Sequence, residues 1–515
     1  MLPKGIHMSD PRHTKRGRVY IVGAGPGAPG LITVRGAECL QQADVVFHEA
    51  SVNPKILRHV REDAKRICVD APSGAGGWTQ SELARKTVEL ARAGEAVVHL
   101  DAGDSIMFGR HSGGMDSLAE HGIKFEIVPG VPIASVAASH AGVPLTRGSG
   151  AVALVTGHRG GGNPPAEPDY ARLAHFPGSL AISMDATDVE HWARNLIRGG
   201  LPSQTPACVI RDCSLPTQRT TGCTVGQLEE HLSGVGPGRL PVLVVVGQDA
   251  AHRSTANWFE TRPLFGQTVL VTRPAGQVKT LASKLEEHGA HVLAQPAIEV
   301  REPADWGAAD DAISRLSDFH WLVFSSVNGV NAFMSRLRAT GRDLRALGTA
   351  KLAAIGPATA AALGNYHLKV DRCPRRYQAE YLAEALLDDA AGKRFLLVRA
   401  SRGREWLAQQ LTTAGADVEQ VVFYESVDSS AASPRIRAAL AAEDIRWTTV
   451  TSSAIARSLA RMFGSDLKKT NLVSISPLTS STLHQLGFEP TVEAPESTMD
   501  GVVQAIVDFA MSQKP

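Results

Sequence analysis

Short apolar runs alternate with helix-like stretches along almost the whole chain, and this alternation is the strongest constraint on its fold. In the first half the runs include VYIVG, AVVHL and VLVVVG, and SELARKTVELARAG is typical of the helical segments between them. Strands that alternate with helices build layered α/β structures, because each helix covers a face of the sheet. The sequence therefore predicts an α/β fold throughout.

The length of the chain predicts more than one domain. It has 515 residues, and single cores stop growing at about 250 to 300 residues. Periodicity is lost over DAAHRSTANWFETRPLFG, and a second series of strands and helices begins at QTVLVTRP. We expect a disordered leader over 1–17, a first domain over 18–250 that changes subdomain near 142–150, a linker over 251–266 and a second domain over 267–515.

Composition excludes several classes of partner and site. The 53 basic and 52 acidic residues give a net charge of +1, so no global attraction to nucleic acid or to a membrane surface is expected. The six cysteines include no C-x-x-C pair, which argues against both a metal site and a disulfide framework and favours a reduced, cytoplasmic protein. No stretch is long and apolar enough to span a bilayer.

The loop after the first strand is rich in glycine and proline. In RVYIVGAGPGAPG, from Arg18 to Gly30, Pro26 and Pro29 remove amide donors and disfavour a helix that starts at once. The pattern therefore differs from a dinucleotide-binding G-x-G-x-x-G turn and predicts an extended loop, with a helix that begins near Thr33. Bare backbone in such a loop can approach a ligand closely; an ordinary strand-to-helix turn is the alternative.

Several further segments of the first domain occur in a familiar order. They are LITVRGAECLQQADVVF after the loop, GDSIMFGR at 103–110, VPGVPIASVAASHAGVPLT at 128–146 and VTGH at 155–158. With the loop, they resemble the tetrapyrrole methylase family over about residues 18–250, most closely uroporphyrinogen-III C-methyltransferases. The resemblance implies two α/β lobes with a ligand cleft between them, and a homodimer.

The resemblance also implies S-adenosylmethionine as methyl donor and uroporphyrinogen III as acceptor, with precorrin-2 as product. Since the donor is already a sulfonium, the protein's main task would be to align the methyl group with the acceptor carbon. Glu49 would be the base that removes a proton afterwards. The residues implied for donor binding are Pro26, Gly103, Asp104, Ile106, Ser135, Thr156, Gly157 and Met184.

The chain departs from the family where the acceptor would bind. An arginine and a lysine of the family correspond to His99 and Asp101, a further lysine to Ala71, and a tyrosine near the second strand to His48. Each lost charge-assisted contact to an anionic acceptor weakens binding by about 1.5 to 3 kcal/mol. The donor loops are better preserved, so an inactive methylase domain, or one with a different acceptor, is the alternative.

The second domain resembles uroporphyrinogen-III synthase. The ordered matches include VLVTRPAGQ at 269–277, LVFSSVNGVNAF at 322–333, AAIGPATAAAL at 353–363 and SISPLTSSTLHQLG at 474–487. This family has two flavodoxin-like lobes joined by a two-stranded connection. The resemblance places one lobe at 267–300 with 440–515 and the other at 301–440, and it implies cyclisation of hydroxymethylbilane, a linear tetrapyrrole with eight carboxylates.

Polar residues that follow the strands of the second domain are the candidates for holding this polyanion, because ligands bind beyond the carboxyl ends of strands in open α/β sheets. Tyr424 ends a strand and is the candidate general acid toward the departing hydroxyl; buried packing is its alternative. For each Ser or Thr the alternative is an ordinary helix N-cap. The candidates are Thr272, Arg273, Ser325, Ser326, Asn328, Gly356, Thr359, Arg399, Ser401, Arg402, Thr451, Ser452, Ser453, Ser476 and Thr479.

Together the two resemblances predict a bifunctional enzyme that makes uroporphyrinogen III and methylates it for sirohaem or cobalamin synthesis. S-adenosylmethionine is the only cofactor implied, and no metal is expected. A synthase that carries an inactive or differently specific methylase domain is the main alternative, and a binding protein without activity is another. Fold analogy by itself does not separate them.

Overall fold

The structure, a computed structural model, describes residues 17–70, 77–107, 113–148, 150–157, 167–232, 242–251 and 257–513. The predicted leader, apart from Gly17, lies outside these ranges, as do Ala71, residues 108–110, His158 and part of the predicted linker. The chain divides into a first unit that ends at Gly266 and a second that starts at Gln267. Each unit is described by itself below.

The first lobe of the first unit is a parallel sheet covered by helices. Its described strands lie in the order β3-β2-β4-β1-β5, and all their pairings are parallel. The three central strands are mostly buried, as expected inside a parallel sheet, whereas the two edge strands are partly exposed. The strands are β1 (Arg18–Gly23), β2 (Val45–His48), β3 (Lys65–Cys68), β4 (Ala96–Asp101) and β5 (Phe125–Val128); the helices are α1 (Val34–Gln42), α2 (Gln80–Arg92), α3 (Gly113–Glu120) and α4 (Ile133–Ala141).

The loop after β1 has the predicted form. Helix α1 begins at Val34, and the Thr33 side chain caps it by accepting a hydrogen bond from the Gly36 amide. Only one 3₁₀ turn, at Pro29–Leu31, interrupts the loop between β1 and this cap. The carboxyl ends of β1, β2, β4 and β5 therefore bring their loops to one edge of the sheet.

The second lobe of the first unit holds a mixed sheet. Its described strands lie in the order β6-β7-β10-β8-β9; β6 pairs with β7 in parallel, and the other pairings are antiparallel. A hairpin of β8 and β9 thus replaces the strict alternation that the sequence predicts. The strands are β6 (Val152–Thr156), β7 (Ser179–Met184), β8 (Pro206–Arg211), β9 (Arg219–Thr224) and β10 (Val242–Val246); the helices are α5 (Tyr170–Ala174), α6 (Val189–Arg198) and α7 (Leu228–Leu232).

The second unit, described over 267–513, also has two lobes. Its first sheet is parallel, in the order β12-β11-β18-β19-β20. Apolar residues of helices α14, α15 and α16 pack on this sheet in one core. The strands are β11 (Thr268–Val271), β12 (His291–Ala294), β18 (Trp447–Val450), β19 (Asn471–Ser474) and β20 (Val492–Glu493); the helices are α8 (Val278–Glu287), α14 (Pro434–Ala441), α15 (Ser453–Phe463), α16 (Pro477–Gln485) and α17 (Met499–Ser512).

The second sheet of this unit has the order β13-β17-β16-β14-β15, in which β13 is antiparallel to β17 and the other pairings are parallel. Large aromatic side chains such as Phe324, Phe333 and Phe423 fill its core. The strands are β13 (Ile298–Arg301), β14 (Trp321–Phe324), β15 (Lys351–Ala354), β16 (Arg394–Ala400) and β17 (Asp417–Asp428); the helices are α9 (Gly307–Ser314), α10 (Val327–Ala339), α11 (Pro357–Gly364), α12 (Ala379–Leu387) and α13 (Trp406–Thr413).

One lobe boundary of the second unit differs from the predicted one. Residues 298–300 were predicted in the first lobe; Ile298 packs in the core of that lobe, and strand β13 pairs with the end of β17, with Ile298 opposite Asp428. Residues 432–440 were predicted in the second lobe, but Ile436 and Leu440 pack in the core of the first. The end of β17 and β13 thus form a paired connection, and helix α14 already belongs to the lobe that follows.

Candidate active sites

Three glycine segments meet at the carboxyl edge of the first sheet. The backbones of Gly25 and Gly103 form a bridge with hydrogen bonds of 3.0 and 2.9 Å, and both residues have positive φ. A Cβ on Gly130 would overlap the carbonyl oxygen of Gly103 and lie 2.8 Å from the Cα of Gly23. Since all these neighbours are backbone atoms, only glycine permits this approach.

Asp104 fixes the loop that follows β4. Its carboxylate accepts hydrogen bonds from the amides of Ile106, Met107 and Gly130 at 2.9, 2.7 and 2.9 Å. Both carboxylate oxygens are used in this way, so Asp104 organises the loop. The Ile106 side chain is 55% exposed and offers an apolar surface beside the glycine bridge.

Two residues that the sequence analysis missed hold the Pro26 loop. The Asn53 side-chain amide donates to the carbonyl oxygen of Gly27 at 2.9 Å, and the Ala28 amide donates to Ser214 Oγ at 2.8 Å. Ser214 lies 186 residues away along the chain, after strand β8, so no local pattern could have indicated it.

The residues predicted in the second lobe lie at the ends of β6 and β7. The Gly157 amide donates to the carbonyl oxygen of Ser183 at 2.7 Å, one residue beyond Thr156. A Cβ on Gly157 would lie 2.6 Å from the Cβ of Met184. The Met184 side chain is 1% exposed and packs in the lobe's core. Ser135 lies apart from these residues, exposed on helix α4, where it lines a cleft of about 580 Å³.

The edge fits the methyl donor in one respect that the structure shows directly. A Cβ on Gly103 would meet no atom within 4 Å, so the bare backbone of this residue faces open space. With the exposed Ile106 side chain beside it, the edge offers backbone hydrogen-bonding groups together with an apolar surface. A ligand that carries both a polar amino-acid part and an apolar ring suits such an edge.

Glu49, the predicted base, lies directly after β2 at the same edge. It is 8% exposed, and its Oε2 accepts hydrogen bonds from Ser51 Oγ at 2.9 Å and from the Ala102 amide at 3.2 Å. Ser51 and Ala102 therefore hold the carboxylate in one orientation. Asp70, on the neighbouring strand end, accepts a hydrogen bond from the Ala50 amide at 2.5 Å.

The two substituted positions on β4 supply no cation to this edge. His99 Nε2 hydrogen-bonds with Thr87 Oγ1 at 2.9 Å, and its ring lies 5.3 Å from that of Phe47. Asp101 is buried. The histidine thus packs against helix α2, and the position that would carry the family's lysine carries a carboxyl group.

Tyr424 is the centre of the candidate site in the second unit. Its hydroxyl lies 2.9 Å from Ser326 Oγ and is also hydrogen-bonded by Asn328. The side chain is 8% exposed. Burial raises the pKa of the phenol, and the hydrogen bonds with Ser326 and Asn328 offset part of that rise. Tyr424 is therefore protonated at neutral pH and can donate a proton.

A chain of side chains connects Tyr424 to the other lobe of this unit. Arg273, after β11, donates to Gln277 Oε1, and Gln277 Nε2 donates to Asn328 Oδ1 at 2.6 Å. Gln277 was missed as a site residue although it ends the VLVTRPAGQ motif. Among the described residues no carboxylate pairs with Arg273, and burial lowers the pKa of its guanidinium. A partly buried guanidinium without a carboxylate partner can bind an anionic group of a ligand.

A cleft of about 410 Å³ opens beside Tyr424 and Asn328. Trp306 and Asn331 contribute to its walls, together with two arginines, Arg301 and Arg336. Both arginines already have carboxylate partners: Arg301 pairs with Glu299, and Arg336 with Asp310. Their net attraction for an anion is correspondingly smaller than that of Arg273.

Many of the predicted hydroxyls have structural tasks. Ser326 and Ser452 cap helices α10 and α15 by accepting hydrogen bonds from Gly329 and Ile455, as the alternative interpretation predicted. Thr272 is buried and donates to the carbonyl oxygen of Thr449 at 2.5 Å. The remaining members of this group lie at the starts of helices α11, α15 and α16 or are buried beside them: Gly356, Thr359, Thr451, Ser453, Ser476 and Thr479. Ser325 is exposed just before the cap of α10.

The residues predicted after β16 are also engaged. The Arg399 guanidinium donates to Gln420 Oε1 at 2.5 Å, and Arg402 pairs with Asp428 at 2.9 Å. Burial favours the neutral form of Asp428, but the hydrogen bond and charge of Arg402 hold its pKa below the usual range. The Ser401 amide donates to the carbonyl oxygen of Tyr424 at 2.9 Å, so this residue positions the end of strand β17.

Among the described residues, no group of three or more His, Cys, Asp or Glu side chains is placed to hold a metal ion. No helix in these ranges is long and apolar enough to cross a membrane.

Comparisons with known proteins match each unit to a different family. Residues 18–229 match the family of tetrapyrrole (corrin/porphyrin) methylases, and residues 279–504 match uroporphyrinogen-III synthase HemD. Porphyrin biosynthesis protein HemD of Ruminiclostridium josui is 28% identical over 96% of this chain and 98% of its own length. Both units together therefore have a counterpart in one protein.

Other relatives match mainly the first unit. Uroporphyrinogen-III C-methyltransferase of Bacillus subtilis is 30% identical over 66% of this chain and 70% of its own length. Siroheme synthase 1 of Klebsiella pneumoniae is 39% identical over 49% of this chain, which spans about half (53%) of that relative's length. The crystal structure of uroporphyrin-III C-methyltransferase from Thermus thermophilus, complexed with S-adenosylhomocysteine, is 31% identical, with a TM-score of 0.38, over 45% of this chain and 93% of its own.

The two family matches and the four sheets described above confirm the predicted fold class, a two-lobed tetrapyrrole methylase fold followed by a two-lobed synthase fold. The chain belongs to the tetrapyrrole methylases through its first unit and to the uroporphyrinogen-III synthases through its second.

Proposed function

We propose that this chain, a bifunctional enzyme of tetrapyrrole biosynthesis, cyclises hydroxymethylbilane to uroporphyrinogen III in its second unit and methylates that product to precorrin-2 in its first. Precorrin-2 would then supply sirohaem or cobalamin synthesis. The observation that carries the proposal is the protonated, buried Tyr424 hydroxyl, connected by Asn328 and Gln277 to a guanidinium without a carboxylate partner.

Tyr424 would act as the general acid of the cyclisation. Its phenol donates a proton to the departing hydroxyl of hydroxymethylbilane, which leaves as water. The macrocycle closes with inversion of the last pyrrole ring: its substituted α-carbon bonds to the carbon that lost the hydroxyl, and its old bond to the methylene bridge breaks and re-forms at its free α-carbon. The proton lost from that free α-carbon restores the phenol, so the reaction is balanced without another reactant. Ser326 and Asn328 orient the hydroxyl, and such a positioned acid accelerates proton transfer by about 10² to 10⁴.

Arg273 would bind a carboxylate of the substrate. Its one described hydrogen-bond partner is the neutral amide oxygen of Gln277, so the cation is uncompensated until an anion arrives. Because Gln277 also donates to Asn328, substrate binding at Arg273 and the orientation of Tyr424 depend on one connected set of side chains. Further carboxylates would meet the helix N-termini after β14 and β18.

The first unit would use S-adenosylmethionine, which supplies an electrophilic methyl group when bound. The bridge of Gly25 and Gly103 and the Asp104 loop would hold the donor, with Pro26 and Ile106 beside it. The task of these groups is alignment, since the reactivity resides in the sulfonium. Glu49 would accept the proton from the methylated carbon, and Ser51 and the Ala102 amide hold its carboxylate ready.

A second candidate function is supported by one observation in the same unit. His99 is engaged with Thr87, and Asp101 is buried at the position of a family lysine. An octa-anionic acceptor would meet less positive charge here than in the family. This arrangement favours either an acceptor with fewer carboxylates or a methylase domain without turnover.

The remaining parts of the proposal rest on the families. We propose that the chain forms a homodimer through its methylase domain, acts on small tetrapyrroles in the cytoplasm, and has its functional domains at 18–250 and 267–515. Size measurement by light scattering tests the dimer directly: a mass near 109 kDa, twice the 54.7 kDa of one chain, is expected.

An anaerobic assay tests both activities in one tube. The full chain receives hydroxymethylbilane and S-adenosylmethionine labelled in its methyl group, and the products are oxidised and separated by isomer and label. Isomer III with label supports the bifunctional enzyme, and isomer III without label supports the second candidate. Isomer I alone, as in an enzyme-free control, would contradict the synthase assignment.

Two variants serve as matched controls, because each is expected to abolish the activity of one unit and to leave that of the other. Tyr424→Phe removes the proposed acid and leaves the first unit untouched; because this variant makes no acceptor, its methylation is measured with uroporphyrinogen III added directly. Gly130→Ala disturbs the donor edge and leaves the second unit untouched. Loss of both activities in either variant would show that the assay reports on folding of the whole chain.

A further inference from the structure

The segment that joins the two units packs on the first one. Trp258 Nε1 donates to the carbonyl oxygen of Ser139 at 3.1 Å. The Phe259 ring stacks on His140 at 4.1 Å, with the Arg262 guanidinium 3.9 Å from the centre of the Phe259 ring. Residues 257–265, predicted as part of a linker, are thus anchored by side chains of this unit.

Glu260 in this junction segment begins a buried polar chain. Its Oε1 accepts hydrogen bonds from Gln218 Nε2 at 3.1 Å and from Thr220 Oγ1 at 2.5 Å. Gln218 is 0% exposed, and its Oε1 accepts a hydrogen bond from the Ser214 amide at 2.9 Å. Gln218 therefore connects the carboxylate of the junction segment to the turn after β8.

Ser214 needs this support because its backbone is strained. Its φ is 63°, and that of Asp212, two residues earlier, is 49°; residues other than glycine seldom adopt this region. The bond from the Ser214 amide to Gln218 holds the turn in this conformation. Ser214 Oγ is then placed to accept the hydrogen bond from Ala28.

The last step reaches the proposed donor site. Ala28 belongs to the loop whose Gly25 bridges Gly103. A Cβ on Gly27 would lie 3.0 Å from Ser214 Oγ and 3.0 Å from the carbonyl oxygen of Cys213, so the loop lies directly on the turn. Three side chains therefore connect the junction segment to the loop: Glu260, Gln218 and Ser214.

We infer that Glu260 is a positioning residue for methyl-donor binding, so the segment between the two units forms part of the methylase. This inference rests on the proposed use of S-adenosylmethionine by the first unit. Loss of the carboxylate removes the acceptor of the Gln218 side-chain nitrogen. The Gln218 side chain can then rotate away from the Ser214 amide, and the turn that supports the loop loses that hydrogen bond. The donor loop then samples other conformations, and affinity for the donor falls.

The test compares binding of S-adenosylhomocysteine to variants of the full chain by calorimetry, well below each unfolding temperature. Glu260→Ala is expected to weaken binding about tenfold, the change that corresponds to about 1.4 kcal/mol. Glu260→Gln keeps an oxygen acceptor for Gln218 and is expected to restore most of the affinity. Ser214→Ala removes the hydroxyl at the loop, and the double variant should be no weaker than the worse single one.

Asp249→Asn is the matched control for a merely structural effect. Asp249 is a buried carboxylate of the same unit that also accepts two hydrogen bonds, from Gly148 and Ser179, and it makes no contact with the chain that begins at Glu260. Equal losses of affinity in this control and in Glu260→Ala would overturn the inference, as would unchanged binding in Glu260→Ala. If the unaltered chain binds no S-adenosylhomocysteine, the donor site itself is wrong and the inference falls with it.

Discussion

Replacement of Gly130 by alanine tests the close backbone approach at the edge of the first sheet. The added Cβ would overlap the Gly103 carbonyl oxygen and lie 2.8 Å from the Cα of Gly23. Backbone cannot rotate away as a flexible side chain can, so the strand ends must separate by about an ångström. Overpacking of this kind typically costs about 1 to 3 kcal/mol, and we expect a loss in the upper half of that range.

The same displacement should break the bridge of Gly25 and Gly103, because it would stretch their hydrogen bonds of 3.0 and 2.9 Å beyond bonding distance. We therefore expect Gly130→Ala to lose measurable affinity for S-adenosylhomocysteine in calorimetry. Hydrogen exchange, followed by mass spectrometry of peptides from β1 and β4, should show faster exchange in the variant, since local opening becomes easier.

Gly30→Ala is the matched control for this experiment. Gly30 lies in the loop after β1 that also carries Gly25, has no positive φ, and a Cβ there would meet no atom within 4 Å. Its replacement should leave both affinity and exchange unchanged. If Gly130→Ala behaved like Gly30→Ala in both measurements, the close backbone approach would not be required for donor binding, and the reasoning from geometry would fail.

Three other perturbations have defined outcomes. Tyr424→Phe should lower the synthase kcat by about 10² to 10⁴ with little change in unfolding temperature; a kcat within threefold of the parent would remove Tyr424 as the acid. Arg273→Leu should raise the KM for hydroxymethylbilane yet leave stability equal or higher, since it removes an uncompensated buried charge; a marked fall in unfolding temperature would contradict this. Burial and the nearby charge of Arg262 lower the pKa of His140 to about 4, against an opposing hydrogen bond to Gln218. The unfolded chain then binds the extra proton first, so the first unit should lose up to about 3 kcal/mol of stability as the pH falls from 6.5 to 4, and urea denaturation of His140→Phe should lack this dependence.

The carboxyl-edge arrangement of the first lobe could be predicted because it follows from local patterns. Parallel alternation places the ends of β1, β2 and β4 at one edge, and the positions of Gly25 and Gly103 mark where backbone must come close. Glu49 was named from the resemblance to the methylase family, and its position directly after β2 places it at the same edge. None of these conclusions needs a contact between residues distant in sequence, apart from the order of the strands.

The polar contacts that support the edge could not be predicted, because each joins residues far apart in sequence. Ser214 meets Ala28 across 186 residues, and Glu260 meets Gln218 across 42. Strand β9, RTTGCT, lacks an apolar run because its side chains are half exposed, so the hairpin with β8 left no periodic signal. Helix α14 was divided from its lobe for a similar reason, because only the packing of Ile436 and Leu440 in that lobe's core identifies where it belongs.

Whether an arginine of the second unit can attract the substrate depends more on its carboxylate partner than on its location after a strand. Arg399 and Arg402 follow a strand as Arg273 does, and the sequence predicts the same role for all three. Yet Arg402 pairs with the Asp428 carboxylate, and Arg399 lies 3.9 Å from the Glu405 carboxylate. Among the described residues, Arg273 meets only the neutral amide of Gln277. An arginine in a salt bridge must give up its own carboxylate before it can bind one of the substrate, so most of the binding free energy of the new ion pair is lost. A guanidinium without a carboxylate partner, already partly desolvated by the protein, retains that binding free energy. Arg273 is therefore the arginine at which substrate affinity should be most sensitive to substitution.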